Sequence, residues 1–137
     1  MSDNTTEHIK EIISFLNENA DYAVLRNFEG LPDRNDSRDI DIIITRKSYK
    51  SIRQRLVELI DTRGWKIVTY LNSDRLISYV CAKTTEDSTD IIQWDFFFDT
   101  SVWGVQLMSA EEFLAHKQFN GFLYYVGIEC QFLDKIL

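Results

Sequence analysis

The sequence predicts an α+β domain with a mixed β-sheet flanked by helices. Two long segments carry apolar residues at the spacing of an amphipathic helix, and several shorter runs are rich in β-branched and aromatic residues, as strands are. Two of these runs are separated only by a short polar turn. Strands joined by a tight turn pair antiparallel, whereas strands separated by a helix can pair parallel. We therefore expect a mixed sheet, covered mainly on one face.

The predicted elements follow from these patterns in chain order. Helices are expected over residues 5–17 (N-cap Asn4), 45–63 (ending at Gly64), 109–119 (capping box Ser109 to Glu112, stop signal Asn120-Gly121) and 129–137. Strands are expected over 22–25, 39–44, 65–71, 75–82, 91–98 and 122–126, of which the third and fourth form a hairpin. The segment 26–38 contains the only proline and has the composition of a loop.

The chain has 137 residues, which is enough for one domain with its own hydrophobic core. A hydrophobic fraction of 45% and an aromatic fraction of 13% are typical of a globular protein and exclude a disordered one. The last predicted helix stops abruptly at Leu137. We therefore interpret residues 1–137 as one domain and expect the natural polypeptide to continue into a second domain.

The charge and the apolar pattern restrict location and partners. The net charge is −7, so the surface repels polyanions and general nucleic-acid binding is not expected. No apolar stretch reaches the roughly 20 residues that span a bilayer, and the polar N-terminus is unlike a secretory signal, so we expect no membrane partner. The two cysteines, Cys81 and Cys130, form no metal-ligand or disulfide pattern. A cytoplasmic location is the prediction.

Two aspartates occupy one face of the strand predicted over 39–44. Because side chains alternate along a strand, Asp39 and Asp41 project to one side and the isoleucines between and after them to the other. Nothing nearby in sequence neutralises the two carboxylates, and their mutual repulsion is costly unless they are solvated or bound to a cation. Magnesium prefers oxygen ligands and combines one or two carboxylates with substrate phosphates. The pair is therefore a candidate Mg²⁺ site.

Asp95 is the candidate for a third acid. It lies in the apolar run Ile91-Ile92-Gln93-Trp94-Asp95-Phe96-Phe97-Phe98, where a charge is expensive unless it is paired or bound to metal. If this strand neighbours the one with Asp39 and Asp41, the three acids converge, as two-metal phosphoryl transfer requires. Asp99 is the fallback. The alternative is that Asp39 and Asp41 lie at a solvated strand start and Asp95 on an open face of the sheet.

Two segments carry a resemblance to a known family. The run Val24-Leu25-Arg26-Asn27-Phe28-Glu29-Gly30-Leu31-Pro32, followed by Ser37-Arg38-Asp39-Ile40-Asp41-Ile42-Ile43-Ile44, resembles the nucleotidyltransferase superfamily with the polymerase-beta-like fold. The resemblance is closest to a bacterial branch associated with polysaccharide biosynthesis. It implies a nucleotidyltransferase-like palm, one or two Mg²⁺ ions, and transfer of a nucleoside monophosphate from a nucleoside triphosphate to a hydroxyl acceptor. Asp39, Asp41 and Asp95 match the three metal-binding, catalytic acids of the family.

The chain departs from the family after the first strand, where Arg26-Asn27 replaces the usual Gly-Ser pair. Glycine and serine let a helix N-terminus approach the triphosphate. Arg26 offers instead a bidentate phosphate donor, although the change also fits a different substrate or a lost activity. Ser37 either donates to phosphate or caps a turn. We take Arg26, Asn27, Ser37 and Arg38 as the predicted substrate-binding residues.

The leading hypothesis is therefore a metal-dependent nucleotidyltransferase, in which Asp95 is the general base or a metal-bridging acid. The alternative is a non-catalytic nucleotide-binding or antitoxin-like protein-interaction module that keeps the fold. Both histidines, His8 and His116, stand alone on predicted helices, and we interpret them as packing or surface residues rather than metal ligands.

Overall fold

The computed structural model describes residues 2–35, 38–102 and 105–126, with the side chains of 100–102 and 105–108 excepted. The helices are α1 (Asp3–Asn19), α2 (Arg46–Thr62) and α3 (Ala110–Leu114). The strands are β1 (Tyr22–Val24), β2 (Asp39–Ile44), β3 (Lys66–Asn72), β4 (Leu76–Thr84), β5 (Thr89–Phe97), β6 (Asp99–Val102), β7 (Val105–Ser109), β8 (Lys117–Phe119) and β9 (Tyr124–Val126).

Seven of the described strands form one mixed sheet in the order β3-β4-β5-β2-β1-β9-β8, and β6 and β7 form a separate hairpin. The pairs β2–β5 and β1–β9 are parallel, while the other pairs of the large sheet are antiparallel. The pair β2–β5 is in the middle of the sheet. It can be parallel because the α2 helix and the β3–β4 hairpin lie between its strands in sequence. The predicted α+β class with a mixed sheet is confirmed.

The helices divide unequally between the two faces of the sheet. The apolar stripes of α1 and α2 pack with the inward residues of β2, β4 and β5 in the larger core cluster. The short helix α3 packs on the opposite face in a smaller cluster: Ala23, Leu25, Ile43, Ala110, Phe113, Leu114 and Val126. We call these the helix face and the acid face, since the latter also carries Asp39, Asp41 and Asp95. The sheet is thus covered mainly on the helix face, as predicted.

Most predicted elements are confirmed, but their ends differ in places. The N-cap of α1 is Ser2, whose hydroxyl accepts a hydrogen bond from the Thr5 backbone N–H at 3.2 Å, and not Asn4. The sequence analysis did not predict the β6–β7 hairpin. The helix predicted over 129–137 and the candidate residue Ser37 lie outside the described residues.

The helix predicted over 109–119 is too long. The capping box is present, with the Ser109 hydroxyl accepting from the Glu112 N–H and the Glu112 carboxylate accepting from the Ser109 N–H, but α3 ends at Leu114. Residues 117–119 form β8, and Asn120-Gly121 turns the chain into β9 rather than stopping a helix. Gly121 has φ +98°, and the Asn120 Oδ1 accepts from two backbone N–H groups at 2.9 Å. Asn-Gly is therefore a turn signal here.

Candidate functional site

The parallel register of β2 and β5 brings Asp41 and Asp95 side by side. Asp41 is the partner of Asp95, and Asp39 is the partner of Gln93, so all four side chains lie on the acid face. Neighbouring strands are about 4.8 Å apart, which places paired side chains within contact distance. The Asp41 and Asp95 carboxyl groups are close enough to interact, whereas Asp39 is exposed and adds its charge nearby. The three acids thus lie on one face of the sheet, as strand alternation predicts, while their convergence on a shared ion stays a prediction.

Asp41 has a cationic partner that the sequence analysis missed. Arg26 Nε lies 2.9 Å from Asp41 Oδ2, off the N–H direction, so the contact is an ion pair rather than an aligned hydrogen bond. The sequence prediction concerned only residues nearby in sequence, whereas Arg26 is distant in sequence and adjacent to Asp41 in the folded sheet. The Asp41 side chain is 15% exposed. Burial, together with the charges of Asp95 and Asp39, raises the pKa of Asp41 to about 6, although Arg26 opposes the shift.

The position of Arg26 follows from the pairing of β1 with β2. Val24 pairs with Ile42, and the next backbone N–H, that of Leu25, donates to the Asp41 carbonyl at 2.8 Å. This pairing fixes the backbone of Leu25, so Arg26, the next residue, lies beside Asp41. Asn27 follows with φ +57°, a left-handed conformation that asparagine tolerates better than most residues. Its side chain is exposed.

Asp95 is held by neutral donors that the sequence analysis also missed. Its Oδ1 accepts from the Ser78 hydroxyl at 2.6 Å and from the Gln93 amide at 2.9 Å, and the same amide lies 3.2 Å from Oδ2. Asp95 is 7% exposed and Ser78 is 7% exposed. The signal available in the sequence was the spacing of Gln93 and Asp95, two residues apart on one strand face. Spacing in the sequence could not identify Ser78, because Ser78 lies beside Asp95 only through the register of β4 with β5.

Arg38 lies away from the Asp41–Asp95 pair. Its backbone carbonyl accepts from the Gln93 N–H at 3.0 Å, which extends the β2–β5 pairing by one residue. Its side chain is exposed and borders a groove of about 480 Å³ that is also lined by Asn35 and Asp90. A role for Arg38 in substrate binding stays a prediction.

Asp41 and Asp95 suit a cation whose remaining ligands come from a bound phosphorylated molecule. The carboxylates of Asp41 and Asp95 are adjacent, and burial together with the charge of Asp95 raises the pKa of Asp41, a shift that a bound cation would oppose. Across the described ranges, no three His, Cys, Asp or Glu side chains are gathered closely enough to hold a metal by themselves. Two carboxylates plus phosphate oxygens are a common magnesium set, so the residues fit an ion that binds together with a phosphorylated ligand. The shared ion stays a prediction.

The two histidines take no part in this cluster. His8 on α1 is 3% exposed, and its Nε2 accepts a hydrogen bond from the Trp94 Nε1–H at 2.9 Å. Burial, with a smaller contribution from the charge of Lys83, lowers the pKa of His8 to about 4. His116 is exposed. The interpretation of both as packing or surface residues is consistent with these positions.

Comparison with known proteins supports the fold. No protein-family model matches the chain, and no curated protein matches it. JHP933 from Helicobacter pylori is similar in structure, with a TM-score of 0.62 and 12% sequence identity. A "putative nucleotidyltransferase" from H. pylori has a TM-score of 0.60 and 12% identity. Both matches cover 99% of this chain, which spans only 57% and 59% of their respective lengths.

These similarities show that the chain has a nucleotidyltransferase-like α+β fold, as the sequence predicts. Their identity is too low to carry an activity from one protein to the other. In the part of the chain that the structure describes, each helix is too short or too polar to cross a lipid bilayer.

Proposed function

We propose that the chain is the nucleotide-binding domain of a metal-dependent nucleotidyltransferase, which transfers a nucleoside monophosphate from a nucleoside triphosphate to a hydroxyl acceptor. The observation that carries the proposal is the register of Asp41 with Asp95 on neighbouring parallel strands. Two carboxyl groups forced together at a largely buried position raise the free energy of the empty site. Such a pairing is typical of functional sites, where a ligand relieves the repulsion.

Each residue of the site has a role in this reaction. The acceptor hydroxyl attacks the α-phosphorus, the bond to the bridging oxygen breaks, and pyrophosphate leaves with the bond electrons. Asp95 is placed to accept the proton of the hydroxyl, and Arg26 to bind phosphate oxygens once the triphosphate competes for its charge. Asp41 and Asp95 would hold Mg²⁺, which supplies charge neutralisation of the phosphates. Asp39, one step along β2, adds negative charge at the edge of the same site.

Isothermal titration calorimetry tests this function. Each of the four common nucleoside triphosphates is titrated into the protein with Mg²⁺ and with EDTA. We expect saturable binding that requires Mg²⁺ and that is lost in Asp95→Asn. Asp87→Asn is the matched control, because it makes the same change of charge in the exposed turn between β4 and β5. If binding is absent with Mg²⁺, or is equal in Asp95→Asn and Asp87→Asn, the proposal is wrong.

One observation favours a second function, a non-catalytic module that keeps the fold. Arg26 occupies the Asp41 carboxylate in an ion pair, at the position where the resemblance leads one to expect Gly-Ser. A fixed ion pair there would block the metal rather than anchor the phosphate. The calorimetry separates the two, because a module of this kind shows either no nucleotide binding or binding that EDTA does not change.

The acceptor is the least constrained part of the proposal. The resemblance to a branch associated with polysaccharide biosynthesis makes sugar hydroxyls the first acceptors to test. Incorporation of radiolabel from an α-³²P nucleoside triphosphate into a panel of mono- and oligosaccharides would identify one. The Asp95→Asn protein provides the background for each sugar, and Asp87→Asn is its charge-matched control.

A further inference from the structure

The two adjacent acids of the site, the partly buried Asp41 and the buried Asp95, have different kinds of partner. Asp41 faces the charge of Arg26 at 2.9 Å. Asp95 instead accepts hydrogen bonds from an uncharged hydroxyl, that of Ser78 at 2.6 Å, and from an uncharged amide, that of Gln93 at 2.9 Å. A guanidinium cancels the negative charge of its partner, whereas neutral donors fix the direction of a carboxylate and leave its charge in place. The two acids are therefore prepared for different tasks.

The donors of Asp95 are rigidly placed. Ser78 is the direct partner of Asp95 in the antiparallel β4–β5 pair, and Gln93 precedes Asp95 by two residues on the same face of β5. Ser78 is buried in the middle of β4, so its hydroxyl has few alternative partners. Gln93 also lies directly opposite Asp39, which places its amide between two acids. Both donors are on strands in the centre of the sheet, where orientation is well fixed.

The charge of Asp95 has no structural use in this setting. An asparagine at this position would accept the same hydrogen bonds from Ser78 and Gln93 without placing a second carboxylate beside Asp41. A buried charge next to a like charge costs free energy that neutral donors offset only in part. The arrangement holds the Asp95 carboxylate in one orientation, which is what a cation-binding group needs.

We propose that Ser78 and Gln93 are positioning residues, which orient the Asp95 carboxylate as a metal ligand beside Asp41; this rests on the proposed function. They touch neither metal nor substrate, and act by restricting the rotation of the Asp95 side chain. Groups that orient metal ligands in this way typically contribute 10- to 100-fold in metal affinity. The hydroxyl of Ser78 is the more important of the two, because it makes the shorter bond and is the more deeply buried.

Binding of Mn²⁺ to the intact chain tests this proposal, with free Mn²⁺ measured by its electron paramagnetic resonance signal in the presence of ATP. We expect Ser78→Ala to weaken Mn²⁺ binding about 10-fold and Ser78→Ala with Gln93→Leu to weaken it about 100-fold. Ser78→Thr keeps the hydroxyl and should bind as the native protein does. Thr84→Ala is the control, since it removes a hydroxyl from the exposed end of the same strand.

The outcomes separate this proposal from the function on which it rests. If the native protein binds no Mn²⁺ with ATP, the proposed function fails and the positioning role fails with it. If the native protein binds Mn²⁺ but Ser78→Ala and Gln93→Leu bind it within twofold of the native affinity, only the positioning role is overturned. Gln93→Leu alone covers the case in which Ser78→Ala does not fold. A loss in Ser78→Ala that Ser78→Thr does not restore also overturns the role, because it would then reflect packing.

Discussion

The two faces of β2 and β5 contrast sharply although alternate residues of the same two strands form them. On the helix face, Ile40, Ile42, Trp94 and Phe96 are each at most 1% exposed and belong to the main core. On the acid face, one residue away in each case, the same strands present carboxylates and an amide. Because side chains alternate along each strand, the helix face can supply most of the stability of the fold. The acid face can therefore tolerate adjacent carboxylates, which lower that stability. The predictions below test this division.

The largest expected effect concerns ligand binding by the acid face. Asp41→Asn removes one of the two adjacent carboxylates, so we expect Mg²⁺-linked nucleotide binding to weaken by more than about 100-fold, beyond the range of an indirect effect. The fold should persist. Calorimetry with Mg²⁺ measures the first quantity, and thermal unfolding without metal measures the second. A large decrease in melting temperature would show that Asp41 is structural.

The same variant has a defined effect on pH dependence. The folded pKa of Asp41, about 6, is raised above its ordinary value of 3.8, so the folded state holds the proton more tightly than the unfolded state. Its stabilising contribution is complete below the unfolded pKa and is lost as pH rises from about 4 to about 6, by roughly 1 to 3 kcal/mol. Asp41→Asn should lack this decrease and be slightly more stable at pH 7. Urea unfolding at pH 4, 5, 6 and 7 measures it.

Substitutions on the helix face should lower the stability of the fold, unlike Asp41→Asn on the acid face. Ile42→Ala removes buried methyl groups next to Asp41 in sequence but on the other side of the sheet, and should cost about 2 to 5 kcal/mol in the free energy of unfolding. Ile91→Ala, at a position 51% exposed, should cost less than about 1 kcal/mol. Equal losses in urea unfolding would refute the division between the faces.

His8 gives a second test of the helix face, which depends on pH. Its folded pKa, about 4, is lowered from 6.5 because burial keeps the ring from water, with a smaller contribution from the charge of Lys83. Stability should therefore be full above about pH 6.5 and fall as pH decreases toward 4, by roughly 3 kcal/mol. His8→Gln should remove most of this dependence. His116→Gln, at an exposed position, should leave it unchanged, and unfolding curves that respond equally to both changes would contradict the assignment.

The sequence predicted the strands and long helices well because their periodicity is local. The apolar stripe of α2 and the alternation along β2 are each visible within a few residues, and the structure confirms both. The extent of α3 could not be read in this way, since a capping box specifies where a helix begins and not where it ends. Residues 117–119 pair with β9 instead of continuing the helix, and that choice is made by the sheet.

The site was predicted only in part for a related reason. The three acids could be recognised because charge in an apolar strand is unusual and alternation assigns its face. Ser78 could not be recognised, and Arg26 was predicted as a substrate-binding residue but not as the partner of Asp41, because both reach the acids through the β1–β2 and β4–β5 registers. Register is set by the folded sheet as a whole. The sequence therefore could not show which side chains are the partners of each acid.

The smallest expected effect concerns Arg26, the ion-pair partner of Asp41. Arg26→Lys keeps the positive charge but loses the planar fork that meets two phosphate oxygens. If Arg26 anchors phosphate, nucleotide affinity should fall by roughly 1 to 2 kcal/mol, about 5- to 30-fold. If it serves only the ion pair with Asp41, lysine should replace it with little loss. Calorimetry with Mg²⁺ and ATP on Arg26→Lys and Arg26→Ala decides between them, and unchanged affinity in both variants would rule out the anchor.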